Sequence, residues 1–167
     1  MHRIIPYLKF LWSSTNQHGV HSPFVYGYVT KCLYAKQLSK DSTVKDVLFK
    51  SIGFFGYKNV CFVGMGSEFQ NAVLKMYPSI RLDTPPYDLI YIDKLNAGNI
   101  STYIEGNKEI HNDTAVLING IHENKEVETL WEVLTHSGEI RVTIDLFCCG
   151  VLFFRAEQAK EHFKIRI

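Results

Sequence analysis

Several short stretches of this chain combine residue types that can do chemistry. Gly64-Met65-Gly66-Ser67 lies between an apolar run and a helical pattern. A glycine turn at such a place lets backbone approach a ligand, and the first N–H groups of the helix attract anionic groups. The plainer reading is a tight strand–helix turn, because a GxGxxG pattern would need glycine where Phe69 stands. Asp93 closes the apolar run Leu89-Ile90-Tyr91-Ile92, at the strand end where open α/β sheets take ligands. His122, followed by Glu123, has the chemistry of a general base toward a hydroxyl. Its alternative is a helix-entry loop whose acid suits the helix dipole. Asp83 precedes Thr84-Pro85-Pro86 and reads first as a turn aspartate.

His18 and His21 form an H-x-x-H. Zinc needs more ligands than two, so hydrogen bonds that fix a loop between helices are the plainer role. The four cysteines are Cys32, Cys61, Cys148 and Cys149, with no C-x-x-C among them. That pattern suits a reducing compartment and a cytoplasmic protein. Cys148 and Cys149 are adjacent, a poor geometry for an ordinary bridge. A redox role for the pair is the alternative to two plain thiols. The chain has no G-x-S-x-G elbow and no P-loop, which leaves hydrolase and nucleotide-triphosphatase readings without support.

These groups need a scaffold, and 167 residues suffice for one domain. Apolar residues at 46% are enough for a core. A net charge of +1 gives no electrostatic reason to expect nucleic acid, so a small molecule or a protein is the expected partner. No apolar run reaches the roughly 18 residues of a membrane helix. Pro6 and Lys9 interrupt the N-terminal one, which reads as an amphipathic helix and not a leader.

Residues 1–57 read as a helical extension and 58–167 as an α/β core. Ile4, Leu8, Leu11 and Trp12 mark a first helix. A second starts at Ser22-Pro23, serine as cap and proline at the first position. A third opens at Asp41 or Ser42 and ends at Gly53 and Gly56. Trp12, Phe24, Tyr26 and Tyr28 are expected in the core or in a subunit contact. Val60-Cys61-Phe62-Val63, Leu89-Ile90-Tyr91-Ile92 and Ala115-Val116-Leu117-Ile118 read as strands buried on both faces. Helices follow them: one with capping-box spacing at Ser67 and Gln70, one near 99–108, and one through Val127, Trp131 and Leu134 that Gly138 closes. The β-prone runs 140–147 and 151–154 are joined by Cys148-Cys149-Gly150, so short a joint that only an antiparallel hairpin fits. The alternation predicts a three-layer α/β sandwich.

Parallel strands closed by an antiparallel hairpin resemble the plan of class I S-adenosylmethionine (SAM) dependent methyltransferases, a Rossmann-like fold. Residues 87–93 look like that family's fourth strand, 114–122 like its fifth, and 143–155 like its closing hairpin. The stretch 18–24, His-Gly-Val-His-Ser-Pro-Phe, resembles the N-terminal element of a bacterial group of such proteins. The resemblance spans nearly the whole chain but has a gap. A complete member has three crossovers between its first and fourth strands, and here only 23 residues separate Val63 from Tyr87. A parallel crossover takes about a dozen residues, so 80–82 cannot be a parallel neighbour of 88–92. The second and third strands are expected to be lost or vestigial, in a sheet of about five strands.

The resemblance implies that Gly64, Met65, Gly66 and Ser67 hold the amino-acid end of SAM and that Asp93 flanks the reacting centre. It implies a ribose role for Asp83 if 80–82 is a remnant of the second strand. The chain departs from the family where Phe62 replaces an acid of the first strand. It departs again at Asn119 and Gly120, where related O-methyltransferases carry further acids. One carboxylate and one amide make a poor cation site, so no metal is expected. Two functions follow. One is a minimal SAM-dependent methyltransferase for a small molecule, with His122 as a second catalytic candidate. The other is a non-catalytic binding or interaction protein on a degenerate methyltransferase scaffold. An exposed first-strand edge needs cover, from the N-terminal helices or from a homodimer.

Overall fold

Capping residues set several helix ends in the computed structural model, which describes residues 4–16 and 19–167. Helix α1 spans Ile4–Ser13. Helix α2, Pro23–Tyr28, begins after Ser22, whose side chain accepts from the Val25 N–H, and it runs into a single π turn at Val29–Leu33. Helix α3, Thr43–Phe55, is capped by Ser42 accepting from the Lys45 N–H. It stops at Gly56, which takes the left-handed conformation at φ 68° that glycine adopts without cost. Gly53, expected to help end α3, lies inside it.

The core follows as β1 (Asn59–Val63), α4 (Ser67–Met76), β2 (Arg81–Leu82), β3 (Tyr87–Ile92), α5 (Ala97–Tyr103), β4 (Ile110–Asn119), α6 (Lys125–His136), β5 (Val142–Asp145), β6 (Cys149–Phe153) and β7 (Glu161–Lys164). They form one seven-stranded sheet in the order β2-β1-β3-β4-β6-β5-β7. Strands β2, β1, β3 and β4 are mutually parallel, and β6 runs antiparallel to both β4 and β5.

The expectation of about five strands is corrected twice. Residues Arg81 and Leu82 do form a strand, but only two residues long, and it pairs with β1 rather than β3. At the other edge β7 pairs parallel with β5. Its signal is only Phe163 and Ile165 alternating with His162 and Lys164, too short to read as a strand alone. The hairpin joint also shifts, because Cys149 and Gly150 already pair as β6, opposite Asn119 and Asp145. The turn is therefore Leu146-Phe147-Cys148. Gly150 permits a close approach: a Cβ there would lie 2.4 Å from the Trp131 ring.

The pleat sends alternate residues to two apolar layers. Val60, Leu89 and Leu117 face the layer that holds Val25, Tyr28, Val47 and Leu48. Cys61, Ile90 and Val116 face Ile100, Val127, Trp131 and Leu134. Each fully buried aliphatic side chain contributes about 1.5–3 kcal/mol, so the two-sided runs explain why the sheet forms. The expected aromatic cluster divides. Tyr28 is fully buried, whereas Tyr26 is exposed and Trp12 is 94% exposed. Helix α1 does not cover the β1 edge. It lies at the far side of the sheet, where Tyr7 and Phe10 pack on Phe147 at 4.9 and 5.4 Å between ring centres. Among the described residues no helix is long and apolar enough to cross a membrane.

Candidate functional site

Strands β1, β3, β4 and β5 all end at one edge of the sheet, and β6 begins there. From β1 the chain passes through α4 to β2 on one side. From β3 it passes through α5 to β4 on the other. The strand order therefore reverses between β1 and β3, and this is where open α/β sheets leave a crevice for ligands.

Gly64 and Asp93 flank that switch point, one after β1 and one after β3. Gly64 sits at φ 82°, a conformation that side-chain-bearing residues rarely adopt. A Cβ on Gly64 would meet only the Asp93 Cβ, at 3.6 Å, so the space beside it is otherwise open. The Asp93 N–H donates to the Val63 carbonyl at 3.0 Å. Asn119 Nδ2 donates to Asp93 Oδ1 at 3.0 Å and orients the carboxylate. Gly64, Gly66 and Ser67 are exposed and Met65 is half-buried. The capping box expected at Ser67 and Gln70 is not formed. Gly66 is the cap residue of α4, without a side-chain bond, and Ser67 is already helical.

Phe69 and Phe62, which stand where the glycine motif and the first-strand acid would fall, pack against each other. Phe69, where the third glycine would stand, packs its ring on Phe62 at 6.0 Å and on Tyr91 at 5.3 Å. Phe62, where the acid would stand, is buried against the same rings. An aromatic cluster thus occupies the sheet face below the crevice.

Asp83 is not brought to this edge. The β1–β2 register pairs Val60 with Leu82, and the Asp83 N–H donates to the Val60 carbonyl. Asp83 is therefore level with Cys61, three residues short of Gly64. At about 3.3 Å per residue that is about 10 Å.

His122 leaves β4 at the same rim and meets two acids. Its Nε2 lies 2.9 Å from Asp145 Oδ2 and its Nδ1 lies 3.1 Å from Glu128 Oε1. Burial opposes the imidazolium charge, but the bonds and charges of Asp145 and then Glu128 hold the His122 pKa above its ordinary 6.5. Protonated, it donates from both nitrogens, which leaves none to accept a substrate proton. The Phe147 ring stacks on it at 5.0 Å and 16°. Asp145 and Glu128 escaped the sequence reading. The available signal was an acid inside the apolar stretch Thr143-Ile144-Asp145-Leu146, because a buried carboxylate needs a partner. His122, Asp145, Glu128, Trp131, His162 and Lys164 line part of a cavity of about 370 Å³ between α6 and the β5–β7 edge.

Glu123 is exposed, and its N–H closes a turn on the Gly120 carbonyl at 2.8 Å. His18 lies outside the described residues, and His21 is exposed. Among the described residues no group of three or more His, Cys, Asp or Glu is arranged to hold a metal ion.

The sequence matches no known family model and no curated protein. Its structure is similar to the crystal structure of a "putative caffeoyl-CoA O-methyltransferase" from Staphylococcus aureus. The TM-score is 0.55 at 13% sequence identity, over 90% of this chain and 98% of that one. The protein therefore has the Rossmann-like α/β fold of methyltransferases.

Proposed function

We propose that this is a methyltransferase-like protein of the cytoplasm that takes SAM at the β1–β3 crevice and serves metal-free O-methyl transfer to a small molecule. The observation that carries the reading is the strand-order switch point, with Gly64 at positive φ on one side and Asp93 on the other. The residues fit the amino-acid end of the cofactor. Backbone of Gly64, Met65, Gly66 and Ser67 would take its carboxylate, since the α4 N-terminus favours anions. When bound, SAM supplies an electrophilic methyl group. Asp93, oriented by Asn119, flanks the acceptor and takes its proton. Positioning alone can supply much of the rate in such a transfer, so a sparse site suffices. The proposal keeps the likeness of 18–24 to the bacterial group, and it leaves the edge of β1 beyond the short β2 for a homodimer to cover.

A second reading has its own support. Asp83 is offset from the crevice by about 10 Å, so the adenosine half of SAM lacks a ribose partner there. His122 is held by two carboxylates. Both favour a non-catalytic binding or interaction protein on the same scaffold.

Thermal unfolding with excess SAM or S-adenosylhomocysteine tests the first reading. At a hundred times the dissociation constant, binding to the native state adds about 2.7 kcal/mol, which raises the midpoint by about 5–10 °C in a domain of this size. The shift is expected to vanish in Gly64→Val. No shift at millimolar ligand refutes the cofactor site. A shift without methyl transfer to any acceptor in a screen of hydroxylated small molecules selects the second reading.

A further inference from the structure

Cys148 closes the β5–β6 turn and Cys149 opens β6. Their sulfurs lie 3.7 Å apart, in hydrogen-bond contact. The two differ in every other respect. Cys149 has no exposed surface, and its β-partner is Asn119. Cys148 is half-buried and lines a cavity of about 260 Å³ beside Tyr7, Leu11, Phe147 and Arg166. The remaining thiols, Cys32 and Cys61, are buried, and burial pushes both up to about 12.

The Cys148 sulfur is the one suited to ionise. Its contact with the Cys149 sulfur, and after that the backbone N–H groups of 148 and 149, hold its pKa below that of an ordinary thiol against the opposing effect of burial. The bond to Cys148 and full burial push Cys149 the opposite way. A partly buried, more readily ionised thiol that lines a cavity, beside a fully buried one, is the arrangement of an attacking and a resolving cysteine. Adjacent Cα atoms are about 3.8 Å apart across a trans peptide, below the usual range for a bridge. A disulfide between them is strained, and strained bridges are the readily reduced ones.

We propose that Cys148 and Cys149 form a reversible, peroxide-oxidised vicinal dithiol, with Cys148 the attacking thiolate and Cys149 the resolving thiol. The oxidant is hydrogen peroxide. The Cys148 thiolate attacks one peroxide oxygen, an S–O bond forms, the O–O bond breaks, and the departing hydroxide takes a proton as water. The Cys149 sulfur then attacks the Cys148 sulfenic sulfur. An S–S bond forms, the S–O bond breaks, and the oxygen leaves as water with the Cys149 proton. The two sulfurs lose two electrons in all, the peroxide is reduced to two waters, and a small dithiol reverses the change. None of this depends on SAM binding.

The test treats the full chain with equimolar hydrogen peroxide and reads intact mass, followed by peptide mapping after alkylation. The expected product is a monomer lighter by two hydrogen atoms, with Cys148 and Cys149 protected from alkylation and restored by dithiothreitol. In Cys149→Ser, Cys148 is expected to accumulate as a sulfenic acid that dimedone traps. Cys148→Ser, at a position that is not fully buried, must abolish the two-hydrogen loss, and it decides the matter should Cys149→Ser fail to fold. Oxygen addition without the two-hydrogen loss overturns the proposal. So does a bridge between two copies, or an unchanged mass loss in Cys148→Ser.

Discussion

Replacing His122 by alanine removes the imidazole between two acids, and Asp145 feels it most. Asp145 is 1% exposed. Its Oδ1 accepts from the Phe147 N–H at 2.7 Å and its Oδ2 from His122 at 2.9 Å. After His122→Ala the second bond is gone, and a buried charge keeps a single backbone donor. Removing one partner of a buried pair costs about 3–5 kcal/mol. The lower end applies here, because the Glu128 side chain is 29% exposed and rehydrates when its partner leaves. The expected loss is therefore about 3 kcal/mol, read by urea unfolding near neutral pH. Adding Asp145→Asn should recover part of it, since the stranded charge is then absent, and the double-mutant cycle isolates the pair. The pH dependence has a definite sign. The folded pKa of His122 lies above the unfolded value of 6.5, so its stabilisation is complete below 6.5 and is lost as pH rises through the folded value. The gap between wild type and variant must narrow toward alkaline pH. A loss under about 1 kcal/mol, or a gap that widens as pH rises, refutes the reasoning that the two acids hold the His122 pKa up.

Two further outcomes follow from packing and from burial. Gly150→Ala should cost about 1–3 kcal/mol by overpacking, because its Cβ would fall 2.4 Å from the Trp131 ring; a smaller side chain at 131 should restore part of the urea midpoint. His162 carries the opposite pH sign to His122. Burial holds its pKa below 6.5, and its Nδ1 lies 2.7 Å from the Thr143 hydroxyl. Protons therefore favour the unfolded chain as pH falls below 6.5, and His162→Asn should flatten that acid limb in unfolding curves taken from about pH 7 to 5.

The chain's local code was legible wherever one residue type has one dominant role. Ser22 with Pro23, Ser42 and Gly56 announced helix ends, and each cap is formed. The runs at 60–63, 89–92 and 115–118 announced strands covered on both faces, and each is. Capping failed at Ser67 because Gly66 takes the cap position itself. Strand β7 was not legible because four residues carry too little pattern, and β2 was legible only as a vestige at 80–82; a neighbour's edge decides whether such short pieces pair.

The candidate site divides along the same line. Sequence order alone put Gly64 after β1 and Asp93 after β3, since a residue that follows a buried parallel strand must emerge at the carboxyl edge. It also announced the gap between Val63 and Tyr87 that shortens β2. Only the tertiary structure decided which of these residues meet. Register set Asp83 three residues below Gly64, whereas sheet pairing brought Asn119 to Asp93. It also carried Asp145 across 23 residues to His122. Side-chain chemistry is written in the residue, but its pKa and its partners belong to the neighbours that folding supplies. That is why His122, read alone as a base, emerges as an imidazole locked between two carboxylates, with its pKa held above the ordinary value.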